Sequence, residues 1–267
     1  GIRDIGVTGV RRVLFRSSNA FQPIRFSDDD GVLYAFTADW SVVAVRPFTG
    51  EILSIAPPAK TGISVLSWSL APSGKRVALS TRGDGCIILT LGSNERPRVV
   101  PETNAAWAVT FSHDSTELWT GTDAGELRRW SVEDGTLLAD VTTVAGDLHA
   151  IAISPDNRWI AVAFFTKSVI QVFDRQSEVW LPPLVGHRRF VQTLAFTPDS
   201  KRLVSGGFDG RLSLWRVPDF AELASFELPT NPDPQVDEGI SNLALAPGGK
   251  GVAVLTEDGR LQFWRTP

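Results

Sequence analysis

His187 invites a chemical reading first, because an imidazole can ligate a metal or move a proton near neutral pH. The other histidines, His113 and His149, stand in other parts of the chain, and none of the three is spaced to form a nucleophile–base pair. Cys86 is the single cysteine and sits on an apolar stretch, which reads as core. Asp28-Asp29-Asp30-Gly31 resembles a calcium loop only at a glance. An EF-hand needs alternating ligands, a Gly at its sixth position and a Glu at its twelfth, so this run reads as a solvated hairpin. The chain contains no G-x-S-x-G elbow, no phosphate-binding loop and no H-E-x-x-H helix. The expectation is therefore no catalytic residue, no cofactor and no metal, and the question becomes what positions His187.

The stretch that follows, Phe196 to Trp215, reads as three short strands and two tight turns. Pro198-Asp199-Ser200 makes the first turn, where Pro presets φ and Asp bonds its own backbone. Phe208-Asp209-Gly210 makes the second, with Gly free to take positive φ. Between and after them, Leu203-Val204-Ser205 and Leu212 to Trp215 alternate with the two-residue period of strands. The chain repeats this unit. Six apolar anchors precede equivalent turns: Phe26, Leu70, Phe111, Ile153, Phe196 and Leu245. Successive anchors are 44, 41, 42, 43 and 49 residues apart. A second large apolar residue follows each at 19 or 20 positions: Val45, Leu89, Trp130, Phe173, Trp215 and Trp264. A period in the low forties with several strands per copy predicts a propeller, in which small sheets bury their faces against one another. Segments such as 51–53, 136–138 and 223–226 supply a fourth, outer strand per copy, and helical periodicity is absent.

Composition agrees. The 267 residues are 43% hydrophobic, enough for one large all-β domain. A net charge of −4 and a pI near 5.5 give no basic excess for nucleic acid or an anionic membrane. One cysteine precludes an internal disulfide, which suits a reducing, cytoplasmic setting. No apolar run approaches 18 residues. The chain has no methionine even at position 1, so it is expected to be a piece of a longer protein.

On these repeats, and on Gly186-His187 followed 28 residues later by Trp215, the chain resembles the WD-repeat β-propeller family over nearly its whole length. The resemblance implies an all-β fold of four-stranded antiparallel blades, six of them visible, in a ring of six or of seven with one missing upstream. It also implies a structural tetrad of His187, Ser205, Asp209 and Trp215. The other copies depart from the pattern, with no Gly-His pair and Trp-Ser, Trp-Arg or Phe173-Asp174 where Trp-Asp is usual. Residues 21–267 form the single propeller domain. Residues 1–20 are either a segment whose Val10–Phe15 stretch closes the last blade by pairing with residues 260–263, or a non-native extension.

In a propeller, the turns between second and third strands share a rim with the loops that lead into each first strand. Four positions before the anchors stand Gln22, Leu66, Trp107, His149, Gln192 and Ser241, with Phe190 two residues before Gln192. The turns contribute Trp40, Arg82, Thr166, Phe208 and Glu257. Of these, Trp40, Arg82, Trp107, His149, Phe190, Gln192, Phe208 and Glu257 form the candidate partner-binding rim, since aromatic residues and Arg are typical interface anchors. Arg188-Arg189 beside Phe190 suits an acidic or phosphorylated peptide. The acidic, Pro-rich insertion at 229–239 enters the last copy over the same rim. The resemblance implies a non-enzymatic scaffold or sensor module for signalling that binds a protein or peptide, with no nucleic acid and no membrane. The alternative is a propeller enzyme, lactonase-like or quinoprotein-like, with its site in the channel.

Overall fold

The computed structural model describes residues 65–228 apart from 83–84, 94, 103 and 143–145, then 239–245, 251–258 and 260–265, and four short strands between 25 and 56. The described residues form six antiparallel sheets and no helix. The first comprises Arg25–Phe26, Leu33–Phe36, Val42–Val45 and Ile52–Ala56. The second comprises Val65–Leu70, Arg76–Thr81, Cys86–Thr90 and Arg98–Val100. The third comprises Ala106–Phe111, Glu117–Thr122, Glu126–Ser131 and Leu137–Thr142. The fourth comprises Leu148–Ile153, Trp159–Phe164, Val169–Asp174 and Val179–Trp180, with Leu184–Val185 also on its third strand. The fifth comprises Val191–Phe196, Arg202–Gly207, Arg211–Arg216 and Glu222–Glu227; the sixth, Ile240–Leu245, Gly251–Thr256 and Leu261–Arg265. Every sheet runs inner to outer in chain order, as propeller blades do.

Two blades differ from the expected four strands. The outer edge of blade four is split, because Pro182-Pro183 offer no backbone N–H to continue a ladder. Blade six has three strands among the described residues. The closing strand expected at Val10–Phe15 lies outside the described residues, as do Gln22, Trp40 and most of the 229–239 insertion.

The sequence anchors have a geometric meaning. Each pairs with the residue seven positions on, and that residue pairs in turn with the later apolar residue: Phe111–Leu118–Trp130 and Phe196–Leu203–Trp215, for example. The same rung recurs in all six sheets, from Phe26–Leu33–Val45 to Leu245–Val252–Trp264. It exists because strand and turn lengths are conserved from copy to copy, and register follows from turn length.

The core consists of seams between neighbouring blades. Phe111, Leu118 and Trp130 pack with Ile88, Cys86 and Val100 of blade two. Trp119 and Leu127 pack with Ile160, Val162 and Phe164 of blade four. Blade four meets Trp215 and Phe220 of blade five through Trp159, Ile170 and Leu184. Leu212 and Leu214 meet Ile240 and Val254 of blade six. Among the described residues, blades two to six thus bury faces against their neighbours, as stacked repeats must. Cys86 is fully buried, and its burial pushes the thiol pKa up, against thiolate chemistry.

The first turns also rivet the blades. Gly74, Ser115, Asn157 and Ser200 all take φ between 57° and 66° at the same repeat position. Ser115 Oγ accepts from Ser73 N–H at 3.2 Å, Asn157 Oδ1 from His113 N–H at 2.7 Å, and Ser200 Oγ from Asp156 N–H at 3.1 Å. His113 is therefore an exposed turn residue that positions backbone, as its place in the repeat suggested.

Candidate functional site

A recurrent backbone bond assembles the rim. The N–H groups of Asp123, Phe165, Phe208 and Glu257 donate to the carbonyls of Ala105, Asp147, Phe190 and Gly239 at 2.8–3.1 Å. Each bond ties a second turn to the approach of its own first strand, so the two sets of loops share one face. The rule also shows which turn residue faces the rim in blade four: Phe165, not the expected Thr166.

Phe165 is 52% exposed and completes a row of aromatic rings across two blades. His149 lies 5.5 Å from Phe165 and 6.2 Å from Phe190, centroid to centroid. Phe165 lies 4.7 Å from Phe190, which stacks on Phe208 at 4.7 Å and 18°. The Arg189 guanidinium covers the Phe208 ring at 4.3 Å. His149 Nε2–H donates to Gln192 Oε1 at 3.0 Å, which crosses from blade four to blade five. Burial lowers the His149 pKa and the Gln192 bond partly opposes this, so the ring is neutral at physiological pH. Trp107 on blade three is 38% exposed, with Arg82 of blade two at 5.9 Å from its ring.

Of the expected rim residues, the structure brings together Trp107, His149, Phe190, Gln192, Phe208 and Arg82. Glu257 is exposed in the equivalent turn of blade six, and Trp40 lies outside the described residues. Leu66 and Ser241 are partly buried at the matching positions. Arg188 and Arg189 do not act as a pair. Arg188 bonds Glu227 on the outer strand at 2.8 Å, whereas Arg189 lies over the rim, so the expected joint anion site is not formed. Among the described residues no group of three or more His, Cys, Asp or Glu is placed to hold a metal.

His187, 1% exposed at its side chain, lies away from this rim surface, inside blade five. Trp215 Nε1–H donates to Ser205 Oγ at 2.9 Å, and Ser205 Oγ lies 2.8 Å from His187 Nε2. His187 Nδ1–H donates to Asp209 Oδ1 at 3.1 Å. Asp209 also accepts the backbone N–H groups of Arg188 and Arg211, at 2.7 and 3.1 Å. The four side chains satisfy one another and tie the second and third strands and the turn between them to the incoming loop, a structural arrangement with no room for a substrate. Gly207 makes it possible, since a Cβ there would collide with Asp209 Oδ1 and His187 Nδ1. Burial opposes ionisation of Asp209, but its bonds from His187 and the two amides leave its pKa below the usual carboxylate value. A depressed folded pKa stabilises above the unfolded value of about 3.9 and is lost as pH falls through the folded one. The wild-type chain is therefore expected to lose this contribution between about pH 5 and the folded pKa. Asp209→Asn should lack that component in melts at stepped pH.

Blade three holds a second network with different residues. Trp130 Nε1–H donates to Thr120 Oγ1 at 2.9 Å, and Thr120 donates to Glu102 Oε2 at 2.8 Å. Glu102 occupies the position of His187, nine residues before the anchor, and its side chain is fully buried. The Arg128 guanidinium donates to its other oxygen and also pairs with Glu126 at 2.8 Å and Asp140 at 3.1 Å. A carboxylate in the histidine position thus requires a cation, which the third strand supplies. Aligning the copies on their anchors would have exposed Glu102 and Thr120; Arg128 has no sequence signal of its own, since its strand also carries Glu126 and Arg129.

Six repeated sheets, seamed from the second blade to the sixth and pinned in blades three and five by such networks, define the class as a β-propeller. Residues 180–216, blade five with its tetrad, match the family model described as WD domain, G-beta repeat. The chain is 26% identical over 118 residues to Periodic tryptophan protein 2 of Saccharomyces cerevisiae, covering 44% of this chain and 13% of that protein. It is 28% identical over 137 residues to human WD repeat and SOCS box-containing protein 1, covering 51% and 32%. Against Protein groucho of Drosophila melanogaster it is 24% identical over 191 residues, covering 68% and 25%. The chain thus carries a WD-type repeat at residues 180–216 and is similar to WD-repeat proteins, and it spans a third or less of the length of these three relatives.

Proposed function

We propose that the chain is the non-enzymatic interaction platform of a longer protein, a scaffold or sensor module of a cytoplasmic signalling system. It holds a protein or peptide on the rim formed by Trp107, His149, Phe165, Phe190, Gln192 and Phe208. The observation that carries this reading is the row of partly exposed stacked rings on one face. Exposed aromatic rings held by neighbouring rings and backbone bonds lose little freedom on binding, so they give affinity at low entropic cost. A protein partner is favoured over nucleic acid by the acidic balance, net −4, and no helix among the described residues is long and apolar enough to cross a membrane.

The test is capture of partners from a lysate by the wild-type chain and by a Trp107→Ala, Phe190→Ala, Phe208→Ala variant, identified by mass spectrometry. The variant must first match the wild type in circular dichroism and retain a cooperative melt. Partners should be lost with the fold intact. Identical partner sets would move recognition to the blade edges or the opposite face.

A further inference from the structure

The rim has a hollow beside the aromatic row, with a volume of about 650 Å³, lined by Trp107, Asp123, Asp147, His149 and Phe165. That volume suits one long side chain with its flanking backbone rather than a folded domain. Three features of its wall point to one kind of guest. Two rings, Trp107 and Phe165, are partly exposed, and ring faces attract cations through their quadrupole. Two carboxylates, Asp123 and Asp147, line the same space. His149, the third ring, is kept uncharged by burial, so it adds no repulsion. Among the described residues the positive groups nearest the hollow are Arg82, 5.9 Å from the Trp107 ring, and Lys167, 5.3 Å from the adjoining Phe164 ring; each already lies against a ring, and two carboxylates face them. The neighbouring ring of Phe208 already accepts a guanidinium from Arg189 at 4.3 Å, an intramolecular instance of the same contact.

Deepening the platform reading above, and resting on it for the identity of the guest's carrier, we propose that this hollow takes a basic side chain, the Arg or Lys of a partner segment. The aliphatic stem packs on Trp107 and Phe165, and the charged head meets Asp123 and Asp147. The backbone bond from Phe165 N–H to the Asp147 carbonyl, 3.0 Å, holds ring and carboxylate in fixed relation. The site is therefore preorganised and needs no closure.

The experiment is a titration of the labelled chain, followed by the indole N–H signal of Trp107, which is assigned by its loss in Trp107→Phe. The probes are N-acetyl-arginine methylamide, N-acetyl-lysine methylamide bearing a free ε-amine, and neutral N-acetyl-norleucine methylamide, each to about 50 mM. The two cationic amides should shift the signal saturably, and norleucine should bind at least about tenfold more weakly. Asp123→Asn with Asp147→Asn should weaken the arginine amide about tenfold without changing the melt. Equal binding of norleucine would overturn the proposal by making the hollow an apolar slot. So would silence of both cations, or arginine binding indifferent to the two substitutions. The failures are separable. Arginine binding in a chain that captures no protein would sink the platform reading alone. Capture lost in the aromatic variant but untouched by the two Asn substitutions would sink the basic side chain alone.

Discussion

Replacing Arg128 by Met is expected to destabilise the chain by about 3–5 kcal/mol, the usual consequence of stranding a buried charge. The stranded charge is that of Glu102, whose side chain is fully buried and whose oxygens are held by Thr120 and Arg128. Methionine matches the apolar stem of arginine, so packing changes little and the missing charge dominates. Glu126 and Asp140 also lose a partner, but at 28% and 44% side-chain exposure they keep water and contribute little. The measurement is the free energy from urea denaturation. A second chain carrying Glu102→Gln with Arg128→Met decides the cause, because Gln keeps an acceptor for the Thr120 hydroxyl and removes the charge. It should recover more than half of the loss. A double variant as unstable as the single would show that shape, not charge, held the blade.

Trp215→Ala should cost a similar amount, about 3–5 kcal/mol, for a different reason. Trp215 is 2% exposed and fills the seam between blades four and five with Phe220, Leu184 and Ile170. Truncation leaves a cavity between two sheets whose backbones are fixed by their own ladders, so the seam cannot collapse onto it. Trp215→Phe separates packing from hydrogen bonding. It keeps most of the ring and loses the Nε1–H bond to Ser205, 2.9 Å, for which the loss is about 1 kcal/mol. Thermal melts should order the chains wild type, Phe, Ala, with Ala lower by about 10 °C. A Phe variant as unstable as Ala would place the weight on the tetrad bond instead.

Much of the fold was legible because repetition averages out local ambiguity. A single apolar–turn–apolar stretch such as 65–81 is weak, but six in register fix strand, turn and blade together, and the observed rung through each anchor is what that register means physically. The four residues His187, Ser205, Asp209 and Trp215 of blade five were singled out by the family resemblance, not by repetition, and hydrogen bonds join them in the fold. The network of blade three was not legible, since Glu102 with Arg128 does the task of His187 with Asp209 using the opposite charge arrangement, and a residue-type pattern cannot see equivalence of that kind. Turn positions on the loop face were legible where the turn length was regular, as at Phe208. Blade four misled by one position because Phe164-Phe165-Thr166 offers no Asp-Gly to mark the turn, and only the Phe165 N–H bond to Asp147 settles which ring faces out. Arg188 and Arg189 read as one basic cluster, yet they stand in the bend that precedes the first strand of blade five, and the structure sends one to Glu227 and the other to Phe208.

By itself, then, the amino-acid order determined the repeat length, the strands and their registers, because these depend on local turn chemistry and alternation copied along the chain. The tertiary structure alone decided that His149, Phe165, Phe190 and Phe208 form one aromatic row, and that Trp107, Asp123 and Asp147 share a hollow with it. Those side chains come from three different blades, and their proximity follows from how sheets stack around an axis, a geometry that no local pattern encodes.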